Sequence, residues 1–205
     1  MKNSSRIFLA AILFMLSTLA YAQNPEATVK NLVNKYSAIP NYKVSITYVA
    51  DNDDMGFTNT QEGTLVVEGN RYFLSFGPNE TWLSDGTSEI VGTKEEDHSQ
   101  IMYFCPGRNS ESIVEFGSLL SFFGTGHTAA MEEGMIKLTP YGNKPYAALF
   151  LDVEGENIKM IKAIDELGTS HMYTISGFTT SIPKTNYAIN RNEYAEKIDE
   201  RKGCN

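Results

Sequence analysis

The chain has 205 residues, with 17 lysines and arginines against 25 aspartates and glutamates, a formal net charge of −8. That balance argues against gripping nucleic acid or an anionic membrane surface by bulk electrostatics, because both need a cationic footprint.

Residues 1–22 read as an export signal. Lys2 and Arg6 form a positive n-region, Ile7 to Leu16 an apolar core too short to span a bilayer, and Ala20-Tyr21-Ala22 a small-x-small cleavage site. A retained membrane anchor is the competing reading, and the short apolar run speaks against it. Cleavage leaves 23–205 as one domain, and losing Lys2 and Arg6 takes the net charge from −8 to −10. No cysteine stands directly after the cleavage site, so the usual bacterial lipid-attachment signal is missing and a soluble periplasmic protein is expected.

A helix is predicted over 24–37. Asn24 is the N-cap, Pro25 suits the first helical position and Glu26 favours the dipole there. Val29, Leu32, Val33 and Tyr36 fall on one stripe. Strands follow. Val44, Ile46, Tyr48 and Ala50 alternate with polar residues up to the turn Asp51-Asn52-Asp53-Asp54. Leu65 and Val67, then Tyr72, Leu74 and Phe76, alternate around Glu68-Gly69-Asn70, a β-hairpin signal. Further short strands are Thr81 to Leu83, Glu89 to Val91 and Ile101 to Phe104, with 94–98 a solvated loop tip.

From Asn109 the period changes. Ile113, Val114, Phe116, Leu119, Leu120, Phe122 and Phe123 crowd eleven residues, with polar residues recurring every three or four. This predicts an amphipathic helix of unusually wide apolar face, ended by Gly124 and followed by a flexible 124–128. Strands resume at Met135 to Thr139, Ala147 to Val153, Ile158 to Ile164 and His171 to Ser176; the last segment, Ile182 to Asn205, reads as extended and then charged, with its end expected to fray. The fold class is mainly β with helices (α+β), an antiparallel meander.

Reactive constellations are missing from this pattern. His98, His127 and His171 stand at no metal-ligand spacing and read as ordinary surface or loop residues. There is no nucleophile elbow, phosphate loop or dinucleotide fingerprint, and the adjacent Glu132 and Glu133 point apart in a strand or turn. Neither an enzyme nor a cofactor or metal is expected. Cys105 and Cys204 are either joined in an oxidising compartment or independent thiols; the sequence gives no distance between them.

What remains is apolar surface. The strands offer Ile46, Tyr48, Leu65, Val67, Tyr72, Leu74, Phe76 and Trp82, and the central helix offers Ile113, Phe116, Leu120 and Phe123. Patterning allows two readings: a plain core, which it favours, or two walls of a pocket for an acyl chain.

The order of several motifs resembles a known family. Gln61-Glu62-Gly63-Thr64-Leu65-Val66-Val67, Arg71 to Phe76, Leu83-Ser84-Asp85-Gly86-Thr87, Ile136-Lys137-Leu138-Thr139-Pro140 and Asp165 to Phe178 resemble the LolA-type periplasmic lipoprotein carriers, in particular a divergent Bacteroidetes-like branch. The resemblance implies an unclosed antiparallel β-barrel (half-barrel) with helices as a lid over its concave face. It implies that the cavity holds the acyl chains of lipoproteins, received from an inner-membrane ABC transporter and passed to an outer-membrane receptor by a monomer without cofactor. The family's aromatic strand position matches Phe73 or Tyr72. Its lid-latching arginine falls at Gly69, with Arg71 two places on. A lipid- or protein-sensing periplasmic module on the same fold is the alternative, and a secreted hydrolase a third class.

Overall fold

The computed structural model describes residues 24–106, 113–182 and 184–202. The predicted signal segment and Cys204 lie outside the described residues. Helix α1 (Pro25–Ser37) starts where the sequence places it: the Asn24 side chain accepts from the amides of Glu26 and Ala27 at 3.1 and 3.4 Å. Its stripe of Val29, Leu32 and Tyr36 is buried.

Twelve strands make one sheet. They are β1 (Asn41–Asn52), β2 (Phe57–Glu68), β3 (Arg71–Phe76), β4 (Glu80–Ser84), β5 (Glu89–Lys94), β6 (Ser99–Phe104), β7 (His127–Glu132), β8 (Met135–Pro140), β9 (Ala148–Glu154), β10 (Asn157–Ile164), β11 (Ser170–Thr179) and β12 (Glu196–Asp199). The order across the sheet is β12-β6-β5-β4-β3-β2-β1-β11-β10-β9-β8-β7, so two meanders join where β11 returns to β1. Every pairing is antiparallel except β12 with β6. The edge strands β12 and β7 do not pair with each other, so the sheet is an unclosed half-barrel.

This topology dictates what covers each face. β6 lies next to one edge and β7 is the other edge, and the described part of the chain between them, from residue 113, packs on the concave side. After β11, in the middle of the sheet, the chain must reach β12 at the far edge, and it does so over the convex side. There Tyr187, Ile189 and Tyr194 pack with Phe73, Leu83, Ile90, Ile101 and Tyr103. Tyr194 fits because Gly92 beneath it has no side chain to meet its hydroxyl. The segment 184–202 is therefore docked, and the end expected to fray, 203–205, lies outside the described residues.

Two strands went unpredicted for a physical reason. β7 is largely exposed at an edge, and β12 carries Glu196, Lys197 and Asp199, so neither shows an apolar alternation. Cys105, just past β6, is disulfide-bonded.

Candidate functional site

The concave face carries one continuous apolar cluster. Period two places Ile46, Leu65, Val67, Tyr72, Leu74, Phe76 and Trp82 on it, all buried, with Tyr48 half-buried against them. Register keeps the face common to neighbouring strands: Leu65 is opposite Leu74, Leu74 opposite Trp82, and Tyr48 opposite Tyr173. Gly63 makes room for Phe76, since a Cβ there would stand 2.6 Å from that ring.

Phe73 is a correction. Arg71, Phe73 and Ser75 alternate with the concave residues of β3, and Phe73 packs in the convex cluster beneath the C-terminal segment. It cannot line the concave trough. Arg71 is on that convex side too, 2.9 Å from Glu68 and with its guanidinium 4.4 Å from the Tyr187 ring centre. It pins the tail and does not latch a concave lid.

The predicted lid helix is the second correction. Its predicted start lies outside the described residues. Residues 113–123 form no α-helix but two 3-10 turns, Phe116–Ser118 and Phe122–Gly124. The reason is the very width that suggested a special helix. Val114, Phe116, Leu119, Leu120 and Phe123 are all at most 5% exposed, and a straight helix lying on a wall buries only one stripe. The segment instead folds as a plug, with Ile113 and Phe122 packed at its margin. Phe116 reaches Tyr72, Trp82 and Tyr173 with ring centroids 6.3, 5.4 and 6.1 Å apart.

Plug and α1 are held differently. Lys35 Nζ donates to the Glu156 carbonyl at 2.7 Å and to Asn157 Oδ1 at 2.9 Å, and the Ile158 amide donates to Tyr36 Oη at 3.3 Å. These bonds bolt α1 to the β9–β10 turn. Apolar side chains of the plug meet the wall, Phe116 foremost among them. Gly124 lets its end approach α1, since a Cβ there would lie 2.9 Å from Val33. A cavity of about 270 Å³ runs beside the plug, lined by Tyr72, Val114, Phe116 and Gly117 among others. That is below the roughly 300–1,000 Å³ of ordinary ligand pockets.

Two histidines are not the surface residues expected. His127 lies on β7, with Nε2 2.9 Å from Tyr146 Oη and its ring stacked on that tyrosine at 5.8 Å. Burial, then the nearby Lys144, lowers its pKa. His171 Nδ1 is 2.9 Å from Tyr48 Oη, and its Nε2 is 3.2 Å from Asp165 Oδ2. Burial, then the carboxylates of Glu80 and Asp165, pushes Tyr48 up to about 12. His98 is in the exposed β5–β6 turn, 3.4 Å from Glu196. Glu132 pairs with Lys137 at 2.8 Å, and Glu133 is in the β7–β8 turn. Tertiary placement alone reveals these networks; no spacing in the sequence signals them.

No family model and no curated protein matches the sequence. Solved structures do. A LolA superfamily protein from Nitrosomonas europaea is similar at 10% identity and a TM-score of 0.48, covering 82% of this chain and 99% of that one. The lipoprotein LppX from Mycobacterium tuberculosis is similar at 12% identity and a TM-score of 0.38, covering 80% and 100%. LprF from Mycobacterium bovis is similar at 13% identity and a TM-score of 0.34, covering 82% and 98%.

Proposed function

We propose that this protein is an exported carrier that shields the acyl chains of lipoproteins in its concave trough. Transfer from the inner to the outer membrane, with an ABC transporter as donor and an outer-membrane receptor as acceptor, follows from the sequence resemblance. The observation that carries the reading is the plug: five deeply buried side chains, two of them on 3-10 turns and three on the segments beside those turns, laid on an apolar wall.

Magnitudes support displacement. Burying five such side chains contributes about 8–15 kcal/mol. Ordering about eleven residues costs on the order of 11–22 kcal/mol. The two are of the same order, so burial of the plug leaves no large surplus that a ligand would have to overcome. A sixteen-carbon chain carries about 12 kcal/mol of transfer free energy, comparable to the plug's own burial. Exchanging one for the other leaves a modest net affinity, which is what loading and release both require.

Native mass spectrometry of the protein taken from its own compartment tests the reading. A bound acylated species is expected. A protein that emerges without lipid, and takes up no acyl chain when offered one, contradicts it.

A further inference from the structure

At the β3–β4 end of the trough a carboxylate stands on an aromatic wall. Glu80 Oε1 accepts from Trp82 Nε1 at 2.6 Å, and its Oε2 accepts from Gln61 Nε2 at 2.9 Å. Those donors fix the carboxylate without neutralising it, and among the described residues no lysine or arginine pairs with it.

Glu80 also opens onto a groove of about 630 Å³, lined by Gln61, Glu62, Phe76, Glu95 and Glu96 together with the β3–β4 turn and the end of β5. The one cation lining it, Lys94, is engaged by Glu193 at 2.6 Å. Phe76 borders the groove, and Tyr48 stands behind it with ring centroids 5.8 Å apart. A fixed carboxylate with aromatic faces is the constellation that recognises an ammonium group, through charge and the ring quadrupoles together.

The placement adds a tail. Trp82 is two residues along the same strand face from Glu80, about 7 Å away, and it touches Phe116 of the plug. A head at Glu80 therefore delivers the first methylenes of its chain to the contact that the plug must give up.

We propose that Glu80, with Trp82 and Phe76, is a headgroup site for an ammonium-bearing amphiphile. The proposal rests on the acyl-trough reading above and adds the charge of what the trough accepts. Two sources share this chemistry: an amine-bearing lipid headgroup, and the free α-amine of an acylated polypeptide.

The test is titration of the purified protein with amphiphiles of one chain length: dodecylammonium, dodecyltrimethylammonium, dodecanoate and dodecyl maltoside, each below its micellar concentration. Binding of the two ammonium compounds about tenfold tighter than the maltoside is expected, with dodecanoate the weakest. Glu80→Gln keeps an oxygen to accept from Trp82 and, once the Gln61 amide turns over, a donor for the Gln61 oxygen, and is expected to erase the preference while leaving maltoside affinity unchanged. An unchanged maltoside affinity in the variant excludes misfolding as the cause of the lost preference. Equal affinities in wild type, or a preference that survives Glu80→Gln, overturn the headgroup site and leave the trough intact. Failure of all four to bind overturns the trough itself. Lysophosphatidylethanolamine and a lipopeptide with a free α-amine then separate the sources: the one whose affinity depends on Glu80 names it, and dependence in neither overturns the proposal.

Discussion

Phe116 meets Trp82 edge to face, with ring centroids 5.4 Å apart and planes at 68°. The contact joins the plug to the wall and fixes a direction of effect. Removing the ring weakens a competitor of the ligand. Phe116→Ala is expected to cost about 1–3 kcal/mol of stability, less than the roughly 3–5 kcal/mol of a fixed-core phenylalanine, because the plug's burial leaves no large surplus over the cost of ordering it. Acyl affinity should rise at least about tenfold. Chemical denaturation and binding titration together check this. A full core penalty with unchanged affinity would mark the plug as ordinary core.

Phe73 gives the converse case. It packs on the convex face with Tyr187, Ile189 and Tyr194. Phe73→Ala is expected to loosen the C-terminal segment, shown by faster proteolysis after residue 180, and to leave acyl affinity unchanged.

Acid should weaken the region where the plug leaves for β7. Burial and Lys144 lower the His127 pKa below its ordinary 6.5, so the folded state favours the neutral ring. The resulting stabilisation is present above about pH 6.5 and is lost as the pH falls through the lowered folded value, because the unfolded chain binds the proton first. His127→Gln is expected to flatten the dependence of Tm on pH below about 6.5. The carboxylates held low, Asp85 and Asp165, act in a more acidic window near and below their ordinary 3.8.

The Cys105 disulfide is expected to join Cys204. Parallel register sets Asp199 beside Tyr103, so the tail runs alongside β6 toward Cys105. A linked 105–204 peptide in a non-reducing digest is the expected result. Reduction should cost about 2–5 kcal/mol and release β12.

The wall was legible in the sequence because alternation is a local property. Leu65, Leu74 and Trp82 announce their face within a few residues, and the Gly69-Asn70 turn sets the register that aligns them. The plug's apolar excess was legible as well, but its shape was not. Whether Leu119 and Leu120 lie on a helix or on successive turns depends on a wall more than forty residues away in sequence. Phe73 went astray through family resemblance, although its own alternation with Tyr72 and Leu74 already set it on the opposite face. Glu80 was invisible because a glutamate before a tryptophan strand reads as solvated. Only the bonds from Trp82 and Gln61 show it turned onto the wall.

The most direct measurement uses Trp82, the only tryptophan in the chain. A bound acyl chain brominated along its length quenches an indole it touches. If the chain replaces the plug, the brominated amphiphile quenches Trp82 emission saturably, while its unbrominated twin binds equally well without that quenching. A brominated chain that binds with the same affinity and leaves Trp82 emission unchanged would contradict the account.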